Sequence, residues 1–291
     1  MMLMSTAVDP AGIGGVILRS MAPLPLFAAG LALGVPAAII AAIVGIGACW
    51  ALDPHLGIAF SLGTALPVVL LVPLALRPPA PRGGWLVSAL TALGVVCFLL
   101  LDLSFRGETG GLEAMLTQTV AEGFRQIAEQ VPELDASQLG EPQRLAFWLP
   151  GSGIVGWLLI VALDGVLAQG ALARFQRSLV TAPDMAMLSV PRVTSIGFVA
   201  AVIAAWAGKG EIAFMGANLA VILAFPLLFG GLGVIHALVA RHPARQMVLT
   251  LFYVVVLGLV LPIVMVVALG VVEQWAGLRQ RLAAQPRRGD E

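Results

Sequence analysis

The sequence predicts an all-helical, polytopic transmembrane bundle, and three observations predict it. Only 11% of the 291 residues are charged while 59% are hydrophobic, where a soluble domain carries about 25% charged residues. Such a chain cannot cover a water-facing surface. Apolar runs recur at 22–50, 56–76, 85–103, 151–172, 192–208, 212–240 and 246–275, most of them near the about 20 residues that cross a hydrocarbon core of about 30 Å. Trp50, Trp85, Trp148, Trp206 and Trp275 mark the ends of those runs, as interfacial anchors do. Trp157 is the exception, about two turns inside its run.

Taken in order, the first run follows Arg19. The N-terminus, MMLMSTAVDPAGIGGVILRS, lacks the charged, apolar and small-residue order of a signal peptide, so this run is expected to stay as an uncleaved anchor. Three runs are too long for one straight pass. Each holds a candidate interruption: Pro36, Pro226 with Gly230 and Gly231, and Pro262. Proline removes a backbone donor and kinks or ends a helix, and in lipid the freed carbonyls need partners from protein or water. Pro67 and Pro73 interrupt the second run as well.

Arginine in short loops sets orientation. Arg77 and Arg82, then Arg174, Arg177 and Arg192, then Arg241 and Arg245, mark three cytoplasmic loops. The turn Asp53–His55, residues 104–149 and Lys209–Glu211 then lie outside. Arg279, Arg281, Arg287 and Arg288 belong inside, so 246–275 is read as a hairpin bent at Pro262 and both termini as cytoplasmic. The expectation is about six full spans plus this hairpin, six to eight in all. The division is into N-terminal helices 1–103, an external segment 104–149, C-terminal helices 150–282 and a tail 283–291.

Within 104–149, Leu112, Met115, Leu116, Val120, Phe124, Ile127 and Val131 recur at helical spacing, with Glu113, Gln118, Glu122, Arg125 and Glu129 on the other side. This is an amphipathic helix on the outer face, resting in the headgroup layer or covering a central cavity. Phe124 and Ile127 are expected in lipid or protein, Glu122 and Glu129 in water.

Four polar residues interrupt the apolar runs and are the candidate substrate-binding set: Asp164, Gln169, Asn218 and His236. A carboxylate near the middle of a span costs on the order of 2.5–3.5 kcal/mol on insertion scales, so Asp164 should face protein or a water-filled cavity. The bland reading of all four is a hydrogen bond that holds helices together. Gln169 only partly shares the Asp164 face. His236 has no carboxylate at helical spacing, so it is no metal ligand; Gly230, Gly231 and Gly233 just before it allow close approach of another helix or a ligand.

Several classes are excluded. Sixteen basic and sixteen acidic residues cancel, so nothing points to nucleic acid. Cys49 and Cys97 lie in apolar runs without metal or redox spacing and read as packing residues. There is no phosphate-binding loop, no Ser/His/Asp set, no HExxH and no paired-carboxylate pattern, so no enzymatic activity and no cofactor are expected. The partners expected are the lipid bilayer, a small-molecule solute, and a membrane protein docked on small-residue faces such as Gly30/Gly34, Ala28/Ala32 and Ala37/Ala41.

FGGLGVIHALVARHP, followed by LPIVMVVALGVVEQWAGLRQRL, resembles the YybS-like family of uncharacterised bacterial membrane proteins. The shared pattern is G-L-x-V-x-H, a Pro-broken apolar run, then G-x-x-E-Q-W-x-x-L-R-x-R. LPLFAAGLALG and the pairing of LDGVLAQ with LSVPR extend it over most of the chain. Related sequences tend to carry Asn where this one has Asp164. The family is distantly similar to the six-helix substrate-binding S components of energy-coupling-factor transporters. The resemblance implies a multi-pass protein of the bacterial inner membrane that binds or transports a small solute; the other reading is a scaffold that organises partner proteins through Arg-rich ends such as LRQRLAAQPRR.

Overall fold

A computed structural model describes residues 12–77, 83–130, 140–180, 188–240 and 242–284. Among these every regular element is helical. In chain order they are α1 (Gly12–Ser20), α2 (Pro23–Leu33), α3 (Val35–Leu52), α4 (Pro54–Phe60), a π-helical turn (Ser61–Ala65), α5 (Leu66–Leu76), α6 (Gly83–Ser104) and α7 (Gly111–Gln130). They continue with α8 (Pro142–Arg174), α9 (Arg192–Ala207), α10 (Glu211–Val239), α11 (Arg245–Gly258), α12 (Val260–Ala276) and α13 (Leu278–Ala284).

Five stretches are long and apolar enough to cross a membrane: α3, α4 through α5, α6, α8 and α10. The pair α11–α12 makes a sixth if its two arms, bent by 114°, count as one span. The chain is therefore a multi-pass, all-helical membrane protein. The run at 192–208 appears as α9, whose 16 residues rise about 24 Å, short of the hydrocarbon thickness.

The prolines sort into two kinds. Pro36 follows Gly34, whose φ of 96° ends α2, and falls in the first turn of α3. Pro262 falls in the first turn of α12, after Leu259 in extended conformation ends α11. First-turn amides have no intrahelical acceptor, so proline there costs no hydrogen bond. Both breaks lie where the sequence puts them, a residue or more ahead of the proline. Pro226 differs: α10 runs unbroken through it. That helix packs against α8, α9 and α12 together, and its neighbours hold it continuous. Pro73 and Pro150 also lie inside helices.

The core is formed around α2, α5, α6, α8 and α10, with Phe27, Val72, Phe98, Leu158, Ile222 and Phe225 at its centre. A smaller cluster joins α10 to the α11–α12 hairpin through Leu232, Val256 and Val266. Close backbone approach sets the second junction. A Cβ on Gly231 would collide with the Val266 carbonyl, and one on Gly270 with the Leu227 carbonyl.

The amphipathic helix is α7, which packs chiefly on α8. Leu112 and Val120 are buried, Phe124 is half-buried, and Glu122 and Glu129 are exposed, as the pattern requires. Ile127 is 44% exposed; α7 is held at its first half, and its apolar face opens outward towards its end. Glu122 pairs with Arg125 on the outer side. Val131 and most of the linker beyond it lie outside the described residues, and α8 starts at Pro142 rather than near Gly151.

Candidate functional site

Asp164 projects from α8 on the same stripe as Val161 and Ala168, all of them buried. It is 3% exposed, and its Oδ2 is buried with no hydrogen-bond partner among the described residues. A buried acceptor without a donor carries its full desolvation cost, about 1–3 kcal/mol and more when charged. Next to it Gly165 faces the ring of Phe27 on α2.

Gln169 is occupied near the end of α8. Its Nε2 donates to the Val180 carbonyl at 2.6 Å, and its Oε1 accepts from Ser178 Oγ at 2.9 Å. Gln176, at a φ of 54°, turns the chain, and Leu179 N donates to the Leu31 carbonyl at the last turn of α2. Gln169 thus pins the segment that closes one end of the bundle.

Asn218 is fully buried and all its bonds go to backbone. Pro150 sits inside α8 with no N–H to donate, and Asn218 bonds the backbone on both sides of it. Gly151 N donates to Asn218 Oδ1 at 2.7 Å, and Asn218 Nδ2 donates to the Phe147 carbonyl at 3.0 Å. The same Nδ2 reaches the Phe214 carbonyl at 2.8 Å. The amide thus satisfies backbone polar groups beside Pro150, as membrane-embedded backbone demands.

His236 is half-buried on α10, its Nε2 2.9 Å from the hydroxyl of Tyr253, the chain's one tyrosine, on α11. It joins the hairpin to the bundle. Asp164 lies about 20 Å along α8 beyond Gly151, and His236 about 27 Å along α10 beyond Asn218, at 1.5 Å of rise per residue. The structure therefore does not bring Asn218 together with either of them.

Trp157, the tryptophan inside its run, has a comparable task. Pro67 offers no N–H to Gly63, the carbonyl four residues back, and Trp157 Nε1 donates to that carbonyl at 2.8 Å. The π-helical turn lies at this point, as π turns do where a helix is interrupted. Cys49 and Cys97 are free and half-buried.

Sequence reasoning did not pick out the polar cluster at the end of α12. Glu273 is 8% exposed and accepts from Arg279 Nε at 2.7 Å and from Arg279 N at 3.2 Å. Arg279 Nη1 donates to the Leu188 carbonyl at 2.6 Å. Arg192 Nε donates to the Gln274 carbonyl at 3.3 Å. A cleft of about 300 Å³ opens among these groups. The available signal was a carboxylate and an amide in GVVEQWAGLR, at the end of an apolar run.

These features define a polytopic membrane protein with a buried carboxylate, one oxygen of which has no partner among the described residues, and a polar cleft at one end. Comparison with known proteins finds no family model that matches the chain, no curated relative and no similar solved structure.

Proposed function

We propose that the protein binds or moves a small solute bearing a hydrogen-bond donor or a positive charge, with Asp164 as the interior contact. The observation that carries this reading is the unpartnered Oδ2 of Asp164, 3% exposed on a spanning helix. Ionisable groups within spans are costly and mark solute, ion or proton paths, whereas a purely structural carboxylate would be expected to hold a donor. Gln169, Asn218 and His236 already hold protein partners; in this reading they shape the surroundings of the path. The resemblance to YybS-like proteins and, distantly, to transporter substrate-binding components agrees with it.

The test is a thermal-stability screen of the purified protein in nanodiscs against small amines, alcohols and monovalent cations. The wild type should be stabilised by its solute. Asp164→Leu should insert normally and lose the ligand-dependent rise in Tm, and Asp164→Asn should keep binding of a neutral donor but not of a cation. A full ligand response in Asp164→Leu would remove Asp164 from the site. A screen without any responding solute, with a protein partner co-purifying, would favour the scaffold.

The same proposal places the protein in a bacterial inner membrane with its Arg-bearing turns and both termini in the cytoplasm. In a variant lacking Cys49 and Cys97, an impermeant maleimide should label Gln118→Cys in intact cells and Gln280→Cys only after permeabilisation. Labelling of Gln280→Cys from outside would reverse the hairpin's orientation.

A further inference from the structure

The cleft at the end of α12 is built from three parts of the chain: the segment 189–192 before and at the start of α9, Gly230 on α10, and residues from 270 to 280. Two observations set it apart from a packing defect. Both amide atoms of Gln274, Oε1 and Nε2, are buried without a hydrogen-bond partner among the described residues, although native structures satisfy the large majority of buried side-chain polar atoms. The charges around Gln274 are, by contrast, held in place. Glu273 spends both carboxylate oxygens on Arg279, and Arg279 is further anchored on Leu188.

The lining carries Arg192 and Arg279 against Glu273, so one positive charge is left over. Arg192 is exposed and uses only its Nε among the described residues, on the Gln274 carbonyl, so its paired Nη groups are available as a fork for an oxyanion. The Gln274 amide offers donors from Nε2 and one acceptor, Oε1. Trp275, 65% exposed beside the cleft, is the residue type that rests at headgroup depth. A volume of about 300 Å³ is at the lower end of small-molecule sites.

We propose that this cleft binds a phosphate-bearing anion with a neighbouring hydroxyl, the phosphate oxygens taken by Arg192 and Gln274 Nε2 and the hydroxyl donating to Gln274 Oε1. The phosphate can come from a lipid headgroup or from a free phosphate monoester. The site is separate from Asp164 and stands whether or not Asp164 binds a solute.

The experiment uses the full chain in phosphatidylcholine nanodiscs. Native mass spectrometry counts bound phosphatidylglycerol in discs doped with it, and calorimetry measures soluble glycerol phosphate. One equivalent of either ligand should bind in preference to phosphatidylcholine. Uptake of the lipid alone makes the source a headgroup; uptake of the monoester alone makes it a free phosphate. Arg192→Gln and Gln274→Leu should each weaken binding at least tenfold. Gln274→Leu should leave Tm unchanged or raise it, because the amide it removes holds no partner among the described residues. Should Gln274→Leu unfold, Arg192→Gln decides, since Arg192 is exposed. Binding of neither ligand, or binding undiminished in both variants, overturns the proposal.

Discussion

Gly270→Leu should detach the α11–α12 hairpin from α10 and lower Tm by several degrees. The reason lies in what occupies the space beside the glycine. A Cβ at position 270 meets the carbonyl of Leu227 and, at 3.0 Å, Gly231 N. These are backbone atoms of α10, which cannot rotate aside as a side chain would. On the facing helix a Cβ at Gly231 meets the Val266 carbonyl, so the two glycines form one reciprocal contact. Overpacking a core costs about 1–3 kcal/mol, and a contact fixed by two backbones belongs at the top of that range or above it. Even Gly270→Ala should therefore destabilise. The comparison is Gly156→Ala on α8, where nothing lies within 4 Å; there the gain in helix propensity should stabilise by about 0.5–1 kcal/mol. Thermal unfolding in nanodiscs measures both, and equal Tm values for the two alanine variants would mean that the close approach is absent. Because His236 and Tyr253 bridge α10 and α11, their hydrogen bond should be lost together with the docking in Gly270→Leu.

How far the sequence could be read depends on whether each feature is local. The spanning helices and the breaks near Pro36 and Pro262 follow from hydropathy and from proline's fit to a helix's first turn, both properties of a short window, while the hairpin reading also needed the Arg count over the whole chain. Continuity through Pro226 does not, because it depends on α8, α9 and α12 surrounding α10. The face of α7 was legible through Leu112 and Val120, while the exposure of Ile127 depends on how far α8 reaches beneath it. Asp164, Gln169, Asn218 and His236 stood out as polar interruptions, and three of them are buried with the fourth half-buried. Their partners were beyond reach of periodicity: Asn218 bonds Gly151 and Phe147, more than sixty residues away. Gln274 is the opposite case. It stands at a run end where a polar residue draws no attention, and only the fold shows that its amide is enclosed.

Asn218→Leu should be the most damaging single substitution among the polar residues of the bundle. It removes the side-chain acceptor of Gly151 N and the side-chain donor to the Phe147 and Phe214 carbonyls, beside Pro150. Each buried backbone group left unpaired costs about 1–3 kcal/mol in a protein interior and several where lipid is the surrounding solvent. Asn218→Asp is a sharper probe, because it keeps the acceptor for Gly151 N and loses the donor to Phe147 and Phe214. It should destabilise as well, and a carboxylate there lies fully buried. The rescue separates this account from simple loss of volume. If the amide stands in for a missing helical hydrogen bond, straightening α8 should make it dispensable, so Pro150→Ala should restore part of the stability lost in Asn218→Leu. The double-mutant coupling should then be on the order of 0.5–3 kcal/mol, the range for residues in one network. Strictly additive losses in the unfolding of the two single variants and the double variant would mean that Asn218 packs beside Pro150 without bridging the backbone there.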